Sequence, residues 1–254
     1  DRTEREARLV YDSLDAWDIQ GQYSFSPWSG HQVIVGGGYR VTEDEFRTLI
    51  PPNLLDPASR RVTTSNLFIQ DEIVLPNDLS LTLGLKQEEN SYTGQDYMPN
   101  VRLAWRPNDR LMLWAAVSRA VRNPSRIERD FSIPGFVTPG FFDAEKLVAY
   151  EIGYRGRPFE NASVSLSLFY HDYDDLRTND PSPAPGLFPF HLGNTMRGET
   201  YGLEAWAAYD VTPNWRLSGG FTLLGKEIEL KPGSRDVARL EAGGADPDYW
   251  VKIR

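Results

Sequence analysis

The chain lacks the features that mark several common protein classes. It has no cysteine, which excludes a disulfide framework and any thiolate metal site or nucleophile. Its 27 Lys and Arg are outnumbered by 36 Asp and Glu, and a net charge of −9 without a basic run argues against a nucleic-acid partner. No stretch approaches about 18 apolar residues, so no transmembrane helix is predicted. Aromatic residues, in contrast, are abundant, with 7 Trp, 12 Tyr and 12 Phe in 254 residues.

Strict alternation of apolar and polar residues is the main pattern that is present. From 79 to 86, leucines at every odd position alternate with Ser80, Thr82, Gly84 and Lys86. Such alternation predicts a β-strand with one apolar face. The pattern recurs and predicts about ten strands, most of them about 10–13 residues long, together with a weaker one near 5–12. The strands are placed at 15–25, 31–42, 62–75, 79–90, 97–106, 110–119, 146–157, 162–172, 199–211 and 214–226.

An apolar face on every strand can pack in a soluble β-sandwich or face a lipid bilayer. Strands of soluble proteins average about 5–6 residues, whereas a tilted strand that crosses a bilayer needs about 9–11. Short turns alternate with long polar segments, predicted as loops at 43–61, 120–145, 173–198 and 227–247, as in outer-membrane barrels. Aromatic residues near the turns, such as Trp28 and Trp105, fit an interfacial girdle. Together these features favour a membrane barrel over a sandwich, in which the same aromatics would be core residues.

Several segments, taken in order, resemble the TonB-dependent outer-membrane receptor family. Ser-Asn-Leu-Phe-Ile-Gln-Asp-Glu-Ile at 65–73 and Pro-Asn-Val-Arg-Leu-Ala-Trp at 99–105 are similar to barrel strands of that family. Residues 118–124 fit its Ser-x-x-Phe/Val-Arg-x-Pro strand end, and Tyr-Glu-Ile-Gly-Tyr at 150–154 and Arg-Gly-Glu-Thr-Tyr-Gly-Leu-Glu at 197–204 match two further signatures. Each motif alone has little specificity, but their order and spacing are fairly specific.

The resemblance implies an all-β fold, an antiparallel up-and-down transmembrane β-barrel of which this chain is a part. The family's barrel has 22 strands and is closed by an N-terminal plug, whereas the sequence predicts about ten strands. We therefore expect residues 1–254 to be a fragment of the receptor β-barrel, with the plug domain and the terminal strands absent. The charged face that alternates with the apolar one would then line a wet lumen or contact the plug.

The function implied by the resemblance is TonB-dependent uptake of a scarce nutrient, an iron-siderophore in most members, across the bacterial outer membrane. The implied partners are the ligand, outer-membrane lipid and the TonB complex, which would act through the absent plug. A soluble all-β module that binds ligands with long loops is the alternative, and an outer-membrane enzyme or adhesin is a third. No catalytic or cofactor motif stands out, so we expect no enzyme and no cofactor.

The segment 120–145 contains the candidate ligand-binding residues. They are Arg119, Arg122, Arg126, Arg129, Phe136, Phe141 and Phe142. The arginines would attract an anionic ligand, or they pair with local acids or with the plug. The phenylalanines would contact an amphipathic ligand, or they pack the loops against one another. By resemblance, Arg122 and Pro124 are motif positions at a strand end, which implies a structural role.

Two further groups of residues are interpreted as structural. The three histidines, His31, His171 and His191, are far apart in sequence and give no metal-ligand spacing, and the acids beside His171 are interpreted as a solvated loop. Three consecutive glycines at 36–38 lack a following helix and lie inside a predicted strand, so they favour a bend or close packing within the sheet rather than a nucleotide site.

Overall fold

The computed structural model describes residues 2–7, 10–48, 52–181, 188–236 and 249–253. Within these ranges the chain forms twelve β-strands and one short helix. No helix in the described parts of the chain is both long and apolar enough to cross a membrane. The strands are β1 (Arg2–Ala7), β2 (Val10–Phe25), β3 (His31–Thr48), β4 (Ser59–Leu75), β5 (Leu79–Asn90), β6 (Gly94–Asn108), β7 (Leu111–Arg122), β8 (Glu145–Phe159), β9 (Ala162–Pro181), β10 (Phe190–Thr212), β11 (Trp215–Leu230) and β12 (Tyr249–Ile253), and the helix is α1 (Arg126–Asp130).

All twelve strands belong to one antiparallel sheet in which each strand pairs with the next along the chain. This is the up-and-down order that the sequence predicts. The register keeps the apolar residues of neighbouring strands in the same rows: Leu83 lies opposite Val101, and Val101 opposite Val117. The apolar face is therefore continuous from strand to strand.

The apolar face is exposed rather than covered. Trp17 is 78% exposed, Ile19 71% and Leu67 67%. Within the described residues no second sheet packs on this face, since all strands share one sheet. A soluble protein would bury such a surface, so the sandwich interpretation is wrong and the face is suited to lipid.

Several strands are longer than predicted. β3 continues to Thr48, β4 begins at Ser59, β9 continues to Pro181 and β10 begins at Phe190, so much of the predicted loops at 43–61 and 173–198 is strand. The physical reason is hairpin pairing, since polar residues above the apolar band continue to satisfy backbone hydrogen bonds across the two strands. Residues 52–58 and 188–189 stay outside the named strands, whereas 49–51, 182–187 and 237–247 lie outside the described residues.

The two ends of the sheet differ in their connections. The turn end carries the short links at 26–30, 76–78, 109–110, 160–161 and 213–214. The opposite end, here called the loop end, carries the long link 123–144, but it also carries the short link 91–93. Among the connections whose residues are all described, the alternation of short and long links therefore fails at 91–93.

The glycines of β3 pack closely, as the sequence predicts. At Gly36 a Cβ atom would lie 2.5 Å from the Phe68 ring and 2.7 Å from the Gly21 carbonyl oxygen. At Gly153 the ring of Trp114, on the preceding strand β7, occupies the corresponding space. Aromatic rings on the inner face of the sheet, here called the wall, therefore fill the space that a larger residue would need at these glycines.

One polar pair interrupts the apolar face near the turn end. Asp71 shares the face of Ile69 and Ile73, and its Oδ2 lies 2.7 Å from Nδ1 of His31 on the adjacent strand. A carboxylate is unfavourable in lipid, so a hydrogen-bonded neighbour is the arrangement expected there.

Fully buried side chains concentrate at the loop end rather than in the wall. The largest of them in the described residues are Phe142, Met196, Thr178 and Asp130. A single layer of strands cannot enclose side chains, whereas the segments at the loop end pack against one another and enclose a small core. This is where the charged and aromatic candidates lie.

Candidate functional site

The link 123–144, here called the strap, bridges the loop end of the sheet. On one side Asp56 N donates to the Asp130 carbonyl and Ser132 N donates to the Leu54 carbonyl, each at 2.9 Å. On the other side the strap pairs with the first residue of β10, because Phe190 N donates to the Phe136 carbonyl at 2.9 Å. The strap is therefore tied by backbone hydrogen bonds to two distant parts of the chain.

A capping box starts the one helix of the strap. The Ser125 hydroxyl accepts from Glu128 N, and the Glu128 carboxylate accepts from Ser125 N at 2.8 Å. Together these contacts satisfy backbone donors that a helix start leaves free. α1 was not predicted from the sequence, although the Ser125-x-x-Glu128 spacing is the signal that could have revealed it.

Glu128 forms the first of two ion-pair clusters. Its Oε2 and Oε1 accept hydrogen bonds from Nη1 and Nη2 of Arg122 at 3.0 and 2.8 Å, which is a bidentate contact. Nη1 of Arg177 donates to the same Oε1 at 3.2 Å. Arg122 also donates from Nε to Glu145 at 2.6 Å, so its guanidinium is shared between two carboxylates. The Glu128 side chain is only 5% exposed, and its charge depends on these arginines.

Asp130, two residues after Glu128 in α1, forms the second cluster. Its Oδ1 lies 2.8 Å from Nη2 of Arg60, and its Oδ2 lies 3.0 Å from Nε of Arg126. The Tyr92 hydroxyl donates to Oδ2 at 2.8 Å. Arg126 also contacts Asp44 at 3.0 Å. Asp130, 3% exposed, thus connects the strap to β4 and the 91–93 link, and Arg126 connects it to β3.

The surroundings shift the pKa of two groups in these clusters. Burial alone would raise the pKa of Glu128, but hydrogen bonds from Arg122 and Ser125 outweigh it and hold that pKa below its usual range. Burial and the hydrogen bond to Asp130 raise the pKa of the Tyr92 hydroxyl, which stays protonated as a donor. Glu128 therefore stays charged and Tyr92 stays protonated, which preserves the ion pairs and the hydrogen bond that hold the strap.

The other two candidate arginines make different contacts. Arg119 pairs with Asp96 at 3.0 Å and also donates to the Tyr97 carbonyl. Arg129 donates to the Phe142 carbonyl at 2.5 Å, and its guanidinium carbon lies 5.6 Å from the Tyr92 ring centre and 5.9 Å from that of Phe141. All four arginines therefore have local partners.

The three candidate phenylalanines occupy different environments. Phe142 is completely buried, with the guanidinium of Arg122 5.7 Å from its ring centre. Phe141 is 91% exposed, and Phe136 is exposed and lies edge-to-face with Phe188 at 5.5 Å. Phe142 is a packing residue, whereas Phe136 and Phe141 present rings to the outside.

A cleft of about 410 Å³ lies against the Glu128 cluster. Arg122, Glu128, Glu145 and Arg177 form its charged side. Leu176, Met196 and Ile228 form its apolar side. Guanidinium donors beside an apolar surface suit an amphipathic anion. Arg177, from β9, was not among the candidates because nothing in its local sequence distinguishes it.

The histidines are not brought together into a cluster. His31 lies near the turn end, and His171 and His191 lie on different strands. In the parts of the chain that are described, no group of three or more His, Cys, Asp or Glu is arranged to hold a metal ion.

Comparison with known families decides the classification. The family model described as "TonB dependent receptor-like, beta-barrel" matches residues 2–249. The chain belongs to this family. Membership places this TonB-dependent receptor barrel in the bacterial outer membrane, and the resemblance in the sequence is confirmed.

Individual relatives of this TonB-dependent receptor barrel agree with the family. It is 24% identical over 181 residues to the iron-regulated outer membrane virulence protein of Vibrio cholerae serotype O1, a match that covers 63% of this chain and 27% of that protein. The siderophore receptor PirA from Pseudomonas aeruginosa has a similar fold, with TM-score 0.73 and 16% identity over 89% of this chain and 43% of PirA.

The FrpB iron transporter from Neisseria meningitidis also has this fold. Its TM-score is 0.71, with 14% identity over 90% of this chain and 38% of FrpB. At these identities the structural likeness concerns the fold alone. The chain spans about a quarter of the curated relative and about two-fifths of these two structures.

Proposed function

We propose that the protein of which this chain is a part takes up a ferric siderophore across the outer membrane in a TonB-dependent manner. The observation that carries the proposal is the cleft between Arg122 and Arg177 at the loop end, which offers cationic donors beside an apolar surface. The printed descriptions of the relatives, an iron-regulated protein, a siderophore receptor and an iron transporter, support the same substrate class.

In this proposal the loop-end candidates bind the ligand. Arg122 would supply charge at the cleft, and Arg119, Arg126 and Arg129 would add to the positive potential above it. Phe136 and Phe141 would contact apolar or aromatic parts of the ligand. Phe142 would act indirectly, because it is buried and packs against Arg122. No covalent chemistry is involved, and we propose a receptor rather than an enzyme.

We also propose that residues 1–254 supply part of a larger barrel that holds a plug. The inner face supports this, because Glu72, Arg102 and Glu151 lie in one row across alternate strands. None of these three side chains has an ion pair or side-chain hydrogen bond among the described residues. A plug of complementary charge would provide their partners and couple the barrel to the TonB complex.

The proposal is tested by iron uptake in cells that carry the full-length protein. Deletion of the gene should abolish growth on at least one ferric siderophore as the sole iron source, and expression of the wild type should restore it. Arg122→Gln should reduce uptake at least tenfold, because it removes the charge at the cleft. Arg110→Gln, which alters an exposed cation at the turn end, is the matched control and should have no effect. Uptake that is unchanged by deletion, with every ferric siderophore supplied, would refute the function.

A further inference from the structure

The strap places its own carboxylates where an anionic ligand would bind. Arg122 and Arg177 are the cationic donors of the cleft, and both point their guanidinium nitrogens at Glu128. A bidentate contact at 2.8 and 3.0 Å is the geometry with which arginine recognises a carboxylate or a related pair of oxygens. Glu128 therefore occupies the donors that the proposed function requires.

The strap is held in place by a small set of contacts with the rest of the chain. α1 has five residues, far fewer than the roughly 12–15 that an isolated helix needs for stability in water. Its order depends on the capping box, on the Glu128 and Asp130 ion pairs, and on the backbone bonds near Leu55 and Phe190. If Glu128 loses its arginines, one of the side-chain anchors of the strap is lost.

We propose that the strap is autoinhibitory: the Glu128 carboxylate competes internally with an anionic ligand for Arg122 and Arg177, and ligand binding displaces it and loosens the strap. The inference rests on the proposed function for the identity of the ligand, but the competition itself is a property of this chain. Because the competitor is tethered, its effective concentration is high, and it selects ligands with enough negative charge to displace it.

The sharpest test is Glu128→Gln. Gln at this position can still complete the capping box with Ser125, so α1 is kept while the charge is removed. The probe is the iron(III) complex of three catecholates, which carries about three negative charges. The full-length variant should bind it about tenfold more tightly than the wild type, a gain of about 1.4 kcal/mol. An equal or weaker affinity, with the fold intact, would overturn the proposal.

Glu160→Gln is the matched control for the loss of one carboxylate. Glu160 is 90% exposed at the turn end, where its partner is Arg110 at 3.5 Å. This control should bind the probe as the wild type does. A gain equal to that of Glu128→Gln would mean that net charge alone sets the affinity, which would refute the competition.

A disulfide tests the loosening separately. Leu55 and Phe131 are bridge partners, and residues 1–254 contain no cysteine, so Leu55→Cys combined with Phe131→Cys gives one defined crosslink within this part of the protein. The oxidised form should bind the probe severalfold more weakly than the reduced form. Equal affinities in the two forms would contradict displacement of the strap.

Trypsin cleavage within the strap separates this proposal from the uptake proposal. Without any ligand, Glu128→Gln should be cut after Arg126 or Arg129 several times faster than the wild type, and an equal rate would overturn the anchoring role of Glu128. If no ferric complex binds to any variant while the cleavage rate still rises, the siderophore function fails and the anchoring stands.

Discussion

The wall of the sheet and its loop end differ in how their charged and apolar side chains are satisfied. In the wall, apolar residues such as Trp17 and Leu67 are exposed because lipid is their solvent, and the sheet is one layer thick. At the loop end, Glu128 and Asp130 are buried among arginines with almost no exposure. The wall therefore depends on register and on its surroundings, whereas the loop end depends on internal ion pairs that a ligand or a change of pH can alter.

The largest effect is expected at the Asp130 cluster. Asp130→Ala leaves Arg60 and Arg126 without their shared carboxylate, and breaking a buried pair costs about 3–5 kcal/mol. The free energy of strap anchoring that is lost should be about 3 kcal/mol, the lower end of that range, because Arg60 is one-third exposed. Hydrogen exchange in micelles should show lost protection of the strap amides while the wall stays protected. Asp109→Ala, at the turn end, is the control, and an equally protected strap in both variants would contradict the account.

The close packing of the wall is tested by two glycines of neighbouring strands. Gly36→Ala places a methyl group against the Phe68 ring and the Gly21 carbonyl, whereas Gly21→Ala meets no atom within 4 Å. Overpacking of this kind costs about 1–3 kcal/mol. Urea unfolding in micelles should show this loss for Gly36→Ala only. Equal urea midpoints for the two variants would show that the sheet makes room for the added methyl group without a loss of stability.

The lipid-facing pair should give a smaller effect. His31→Ala removes the hydrogen-bond partner of Asp71, and the expected loss is about 1 kcal/mol, the usual net contribution of one hydrogen bond. Adding Asp71→Asn should recover much of the loss, since the unpaired carboxylate is then gone. A double-mutant cycle on the unfolding free energy measures this coupling, and additive losses would show that the contact is not stabilising.

The smallest effect is expected from the titration of Glu128. Hydrogen bonds hold its pKa below the ordinary 4.5, so its contribution to strap stability is complete above that pH and is lost as the pH falls through the native pKa. The ratio of the wild-type cleavage rate of the strap to that of Glu128→Gln, measured with trypsin at pH 7 and with pepsin below pH 4, should rise toward one as the pH falls. Parallel pH profiles would show that another group sets the acid response.

The strands were largely predictable because their signal is local. Alternation such as that of residues 79–86 places side chains on two faces whatever the partner strand is. The upper parts of β3, β4, β9 and β10 were missed because polar segments carry no alternation of hydrophobicity, and only hairpin pairing makes them strands. The helix α1 was missed because its capping signal precedes no long amphipathic pattern.

The candidate site was predictable in its region but not in its arrangement. The density of arginine and phenylalanine pointed to residues 120–145, and most of the candidates do lie in or beside the strap. The exposure of Phe141 and the burial of Phe142 could not be read from two adjacent identical residues. Which of the candidates contact a ligand stays a prediction.

By itself, the sequence determined the all-β class, the up-and-down order and the family, because periodicity and motif order are properties of the chain alone. Only the tertiary structure decided that Arg126 meets Asp44, 82 residues away, and that Arg177 joins Glu128, 49 residues away. The sheet brings such residues together through its register, and no local pattern records which distant side chains will share a buried carboxylate.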